Sequence, residues 1–170
     1  MTIDFAPVLA SLTNGIYVLT VADGETHHGM SSSWVTQVSG TPLLIMAAVD
    51  NRHFSCAAVA RSGAFGLNIV GCRAKSLEDH FYSPAAKRPD NLTGLDYDLS
   101  PALKVPWLKL AIASIEAKVV NTVVAGDHSL IIAEPIGARF NHNDRPLTSL
   151  DLDYVYIGGK QVIARDRTGW

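Results

Sequence analysis

The chain is predicted to fold as a mainly β antiparallel barrel with a few short helices. Apolar, β-branched runs recur along its length, and turn signals such as Asp23-Gly24, Gly40-Thr41-Pro42 and Gly158-Gly159 separate them. Only short stretches carry helical spacing. With 170 residues the expectation is one domain, residues 1–170, burying about two-thirds of its unfolded surface.

Phe5, Val8, Leu9 and Leu12 have the spacing of a short amphipathic helix, with Pro7 tolerated in the first turn and Asn14-Gly15 as the stop. Strands follow at Ile16 to Ala22, through the segment carrying His28 to Ser39 with a break near Trp34, and at Leu43 to Val49. Ser55 to Arg61 reads as a helix closed by Ser62-Gly63, and Ala64 to Val70 as the next strand. Ser76-Leu77-Glu78-Asp79 looks like a capping box opening a helix to about Phe81. Ile115 to Val124, Leu130 to Ala138 and the hairpin Tyr154 to Ile157 with Gln161 to Ala164 complete the antiparallel set, in the order of a barrel. Between Tyr82 and Pro106 lie four prolines and little periodicity, so residues 82–106 read as a long proline-rich loop anchored at its far end by Trp107 and Leu108.

Composition excludes several function classes. A net charge of −2 and a pI near 6.3 give no basic field for nucleic acid. No apolar run approaches the ~20 residues of a bilayer span, and the N-terminus lacks the basic flank and apolar centre of a signal peptide, so a cytoplasmic location is expected. Cys56 and Cys72 are too few for a disulfide framework and read as buried, reduced thiols. The histidines at 27, 28, 53, 80, 128 and 142 match no metal motif, and no metal is expected.

The segment His28 to Ser39 is the most informative, because five of its twelve residues are Ser or Thr where a strand should carry alternating apolar side chains. Side chains this short leave room for a flat, polar-edged ring system against the backbone, with hydroxyls and N–H groups to bond it. One strand later, Asp50-Asn51-Arg52-His53 gathers a cation and several donors suited to an anion. Gly126-Asp127-His128 reads as a hairpin turn from spacing alone, or as a turn presenting an imidazole to a ligand edge or phosphate.

The ordered set resembles the flavin reductase-like family. The likeness rests on Gly15 to Val21, Gly29 to Ser39 with Pro42, Asn51-Arg52, Ser62-Gly63-Ala64-Phe65 running into Leu67-Asn68, Gly126-Asp127-His128 and Pro146-Leu147. It implies an FMN-binding split β-barrel of Greek-key type, and reduction of flavin by NADH or NADPH for a partner monooxygenase or other redox protein. FMN is the expected flavin, with FAD as the alternative. By resemblance, Met30, Ser31, Ser32, Ser33 and Trp34 contact the ring and ribityl chain, and Asp50, Asn51, Arg52 and His53 hold the phosphate end. His128 would lie near the nicotinamide nucleotide, with Arg145 to Ser149 bordering the same pocket. Relatives usually carry a small residue where this chain has Trp34, which by itself reads as a core tryptophan. Split-barrel relatives imply a homodimer, with Trp34 and Trp107 as seam contributors. The second reading is an FMN-containing electron carrier of flavoredoxin type, without a nucleotide site.

Overall fold

A computed structural model describes residues 4–158 and 161–164. Its main sheet is seven-stranded and antiparallel: β1 (Tyr17–Asp23), β2 (Thr26–Ser32), β3 (Val35–Gly40), β4 (Leu43–Asp50), β5 (Ala64–Ile69), β8 (Ala113–Ala125) and β9 (His128–Phe140). The spatial order is β2-β1-β5-β8-β9-β4-β3, so β2 and β3 are the two edges of the sheet although they are consecutive in the chain. Only Ser33 and Trp34 join them, a link that spans at most about 11 Å. The sheet must therefore curl until its edges nearly meet, which makes a barrel open along one seam.

Inside the barrel, every second residue of β4 points inward: Ile45, Ala47 and Val49 pack with Leu19, Val21, Phe65, Leu67 and Ile131. Helix α2 (Phe54–Ser62) closes one end, contributing Ala58 and Val59. It ends at Gly63, whose left-handed φ of +67° lets its N–H cap Val59, as the Ser62-Gly63 signal predicts. β1 is buried on both faces because its outer face is covered too: Val18 belongs to a second cluster with Leu77, Phe81, Leu92 and Leu108. Bulges in the β8–β9 ladder near Ala117 and Asn121 let this long hairpin bend around the barrel.

Several elements differ from expectation. The N-terminal helix α1 is one turn, Ala6–Leu9, and its apolar stripe stays outside: Phe5, Val8 and Leu12 are each at least 60 % exposed. Nothing among the described residues covers that stripe, so periodicity alone does not lengthen the helix. Helix α3 (Lys75–Tyr82) has no side-chain cap, because a 3-10 turn at Cys72–Ala74 runs straight into it and leaves Ser76 inside the helix. A true capping box lies at Thr148, whose N–H and hydroxyl both donate to Asp151 at 2.9 Å. Cys56 and Cys72 are half-buried free thiols, not fully buried ones.

The 82–106 segment is not structureless. It holds a 3-10 turn at Pro84–Lys87 and strand β6 (Tyr97–Leu99), which pairs with β7 (Pro106–Leu108). Its middle folds onto the free edge of β2, where the buried Asn91 amide accepts from the Gly29 N–H and donates to the Gly29 carbonyl, both at 2.7 Å. Trp107 and Leu108 anchor it in the interior, so Trp107 belongs to this chain's own core and not to a subunit seam. β10 (Tyr154–Gly158) and β11 (Gln161–Ala164) form a separate hairpin; Gly159 of its expected turn lies outside the described residues.

Arg145 and the Thr148 box hold the Asp151 carboxyl at about 2, below its ordinary 3.8. A carboxyl depressed in the folded state stabilises the fold above its unfolded pKa and loses that contribution as pH falls through the folded value. The stability gap between the parent and Asp151→Asn, read by thermal unfolding, is therefore expected to be full at neutral pH and to close between about pH 4 and pH 2.

Candidate functional site

The open seam of the barrel is a cavity of about 290 Å³. Its walls include Met30, Ser31, Ser32, Ser33 and Trp34 from β2 and the β2–β3 link, Asp50, Arg52 and His53 from the end of β4, and His128 from the start of β9. These come together because β4 and β9 are neighbours and Asp50 lies directly opposite His128 in their register. Asn51 does not line the cavity. Its amide donates to the Gly126 carbonyl at 3.3 Å and accepts from the Ser129 hydroxyl at 2.7 Å, so it braces the β8–β9 turn.

At the cationic end, the Arg52 guanidinium is already engaged. Nε and Nη2 donate to the two oxygens of Asp50 at 3.1 and 2.8 Å, and the Arg52 N–H donates to the same carboxylate. Arg52 holds the Asp50 carboxyl far below the usual carboxylate range. Asp50 thus takes the Nε side of the fork expected to be available to an anion, and the Nη1 side is what an anion could still meet. His53 accepts the Ser55 N–H at Nδ1 and so caps α2, which leaves Nε2 as its donor position. Burial, with His28 beside it, biases His53 toward the neutral form.

His128 is not a turn residue. Gly126, with φ +63°, and Asp127 make the turn, and His128 opens β9 as a buried side chain. Its Nδ1 lies 2.7 Å from Asp127 Oδ1, which fixes the N–H there and leaves Nε2 to accept from the Tyr156 hydroxyl at 3.3 Å. Trp34 leans on both rings, 4.8 Å from His128 and 5.2 Å from Tyr156 between centroids. Trp34 is therefore a wall of the cavity and not a core tryptophan.

The sequence reading missed the wall that adjoins the serine run at Ser31. Glu78, 1 % exposed, accepts hydrogen bonds from the Ser31 hydroxyl and from the Tyr154 hydroxyl at 3.0 Å. Burial raises its pKa, and burial also pushes Tyr82 up to about 12 and Tyr154 well above the ordinary tyrosine value, so both phenols stay protonated. Lys75, the nearest cation on the same helix, is bonded to Asp79. The signal was present: Leu77, Glu78 and Phe81 share the buried face of α3, and a carboxylate in an apolar stripe is anomalous. Tyr154 and Tyr156, two apart on β10, likewise share a face. Arg145 does not border the cavity, since it pairs with Asp151, whereas Ser149 does. Among the described residues, no three His, Cys, Asp or Glu side chains converge as a metal ligand set, and no helix is long and apolar enough to cross a membrane.

Comparison with known proteins agrees with this architecture. An NADPH-flavin oxidoreductase of Streptomyces viridifaciens is 28% identical over 162 residues, covering 92% of this chain and 82% of the relative. The reductase component of a 4-nitrophenol 4-monooxygenase/4-nitrocatechol 2-monooxygenase from Rhodococcus opacus is 25% identical over 136 residues, 80% of this chain and 71% of that protein. Among solved structures, nitrilotriacetate monooxygenase component B from Mycobacterium thermoresistibile superposes with a TM-score of 0.78 at 24% identity, covering 95% of this chain and 90% of that one. Residues 9–160 match the family model described as a flavin reductase like domain. With nearly the whole barrel and its seam inside that match, the chain belongs to the flavin reductase-like family.

Proposed function

We propose that this protein is a single-domain, cytoplasmic flavin reductase that binds FMN in the barrel seam and reduces it with NADH or NADPH, supplying a partner monooxygenase. The observation that carries the reading is the meeting of the serine run, the Arg52–His53 end and His128 around one cavity. The residues present fit a flavin: short side chains from Ser31 to Ser33 leave room for a flat ring, and the buried Ser32 hydroxyl has no partner of its own. When bound, the flavin supplies the redox chemistry, accepting hydride from a dihydronicotinamide. The protein's task is positioning. Trp34 and Tyr156 give one aromatic wall, and the Asp127–His128 pair holds an imidazole of fixed tautomer against it. A homodimer belongs to the proposal as well. The exposed apolar residues Val120, Val124 and Phe140 and the uncovered α1 stripe favour burial against a second copy, which light scattering at micromolar concentration tests.

Because Asp50 occupies one side of the Arg52 fork, the two residues should act in opposite directions on the FMN phosphate. Arg52→Ala is expected to weaken FMN about tenfold while leaving riboflavin, which lacks the phosphate, nearly unaffected. Asp50→Asn removes a competing anion and is expected to tighten FMN. Fluorescence titration with both flavins reads the two effects, and equal losses for both ligands with Arg52→Ala would remove it from the phosphate end.

Anaerobic mixing with FMN and each nicotinamide nucleotide, followed by flavin absorbance, tests the activity. Bleaching by NADH or NADPH is expected. FMN binding without reduction by either nucleotide would leave an electron carrier.

A further inference from the structure

The Glu78 wall performs no part of the function described so far, yet a buried carboxyl with no cation bonded to it is costly unless donors reach it. It has two bonds, one per oxygen, from Ser31 and Tyr154. A carboxylate has about four acceptor positions, so lone pairs remain on the cavity side. Both hydroxyls spend their protons on Glu78 and therefore also turn lone pairs outward. A ligand group meeting this wall must bring a hydrogen.

A donor stands beside these acceptors. Gly29 points its N–H and carbonyl away from β1, toward Asn91. Side-to-side alternation along a strand repeats every second residue, so Ser31 turns its own N–H and carbonyl to the same open edge of β2, next to Glu78. The wall is then a strip of one backbone donor flanked by acceptors. Tyr154 serves this end of the cavity while Tyr156, two residues on, serves the His128 and Arg52 end. The two ends are therefore separated along β10.

We infer that Glu78 is a specificity-determining residue that accepts the imide N–H of the flavin ring, with the edge of β2 at Ser31 pairing the adjacent ring carbonyl. This rests on the flavin reading above and adds an orientation to it. With the phosphate drawn to the Arg52–His53 end and the ribityl hydroxyls next to it, the imide edge is the part of the flat ring that offers a donor beside an acceptor. Tyr154 and Ser31 aim the carboxylate, and the ring contact between Tyr82 and Tyr154 at 5.0 Å holds the phenol in place.

The test is a comparison of FMN with its N3-methyl analogue, which cannot donate at that position, in the parent, Glu78→Ala and Glu78→Gln. The parent is expected to prefer FMN by about tenfold or more, the worth of one charge-assisted hydrogen bond. In Glu78→Ala the preference should fall below about threefold, through loss of FMN affinity. Glu78→Gln keeps the volume and one acceptor oxygen, and should retain an intermediate preference even if the alanine variant fails to fold. Equal binding of both flavins by the parent, or undiminished preference in both variants, overturns the inference alone. Failure of the parent to bind either flavin overturns the flavin reading together with it.

Discussion

Replacing His128 with alanine is expected to slow reduction of bound FMN by NADH or NADPH about tenfold or more at subsaturating nucleotide, with FMN affinity changed far less. The imidazole is held at both nitrogens, by Asp127 and Tyr156, and pressed against Trp34, so its position is set before any ligand arrives. Its burial adds a second consequence. Because His128 is 5 % exposed, the alanine variant should also lose some stability, and a melting curve must accompany the kinetics. Asp127→Asn separates the two effects, since it leaves the ring packed but loosens the tautomer; a reduced rate with an unchanged melting temperature is the expected signature. A parental rate in both variants at every nucleotide concentration would remove His128 from the site.

Asn68→Ala is expected to destabilise the fold by about 3–5 kcal/mol, the largest single-site effect on stability that we foresee outside the apolar core. This side chain, on β5, is fully buried and ties that strand to β1, β7 and β8. Its Nδ2 donates to the Val18 carbonyl and the Thr20 hydroxyl, both at 3.1 Å, and its Oδ1 accepts from the Leu108 N–H and the Ser114 hydroxyl, both at 2.8 Å. Removing it strands several buried donors and acceptors at once, each of which costs its full desolvation. Chemical unfolding measures the change. A loss below about 1 kcal/mol would mean that water replaces these bonds.

The strand pattern was legible because it is local. Val and Ile runs broken by Gly-containing turns place β1, β4 and β5 within a residue or two of where they lie, and the Trp34 break falls where β2 ends. Periodicity failed where burial decides. The α1 stripe has helical spacing but finds no surface to cover, and the Ser76 box is overridden by the turn already formed at Cys72–Ala74. The 82–106 segment looked structureless because much of its order comes from long-range clamps such as Asn91 on Gly29, sixty-two positions away in the chain, and His28 on the Pro89 carbonyl.

The candidate site divides along the same line. The short side chains at 31–33, the titratable groups at 50–53 and an imidazole at 128 are all readable in the primary structure, and those chemical types already suggest a ring site beside an anion site. Which of them act together depended on curling: a two-residue link joins the sheet's opposite edges, and only that closure brings β2, β4 and β9 around one cavity. Tertiary structure also reassigned individual residues, sending Asn51 to brace a turn, engaging one side of the Arg52 fork with Asp50 and turning His128 inward. It alone revealed Glu78, because hydrogen bonds between residues 47 and 76 positions apart leave no trace in local pattern. Residue types carry the chemistry that is available, and long-range packing decides which groups are desolvated, paired and facing one another.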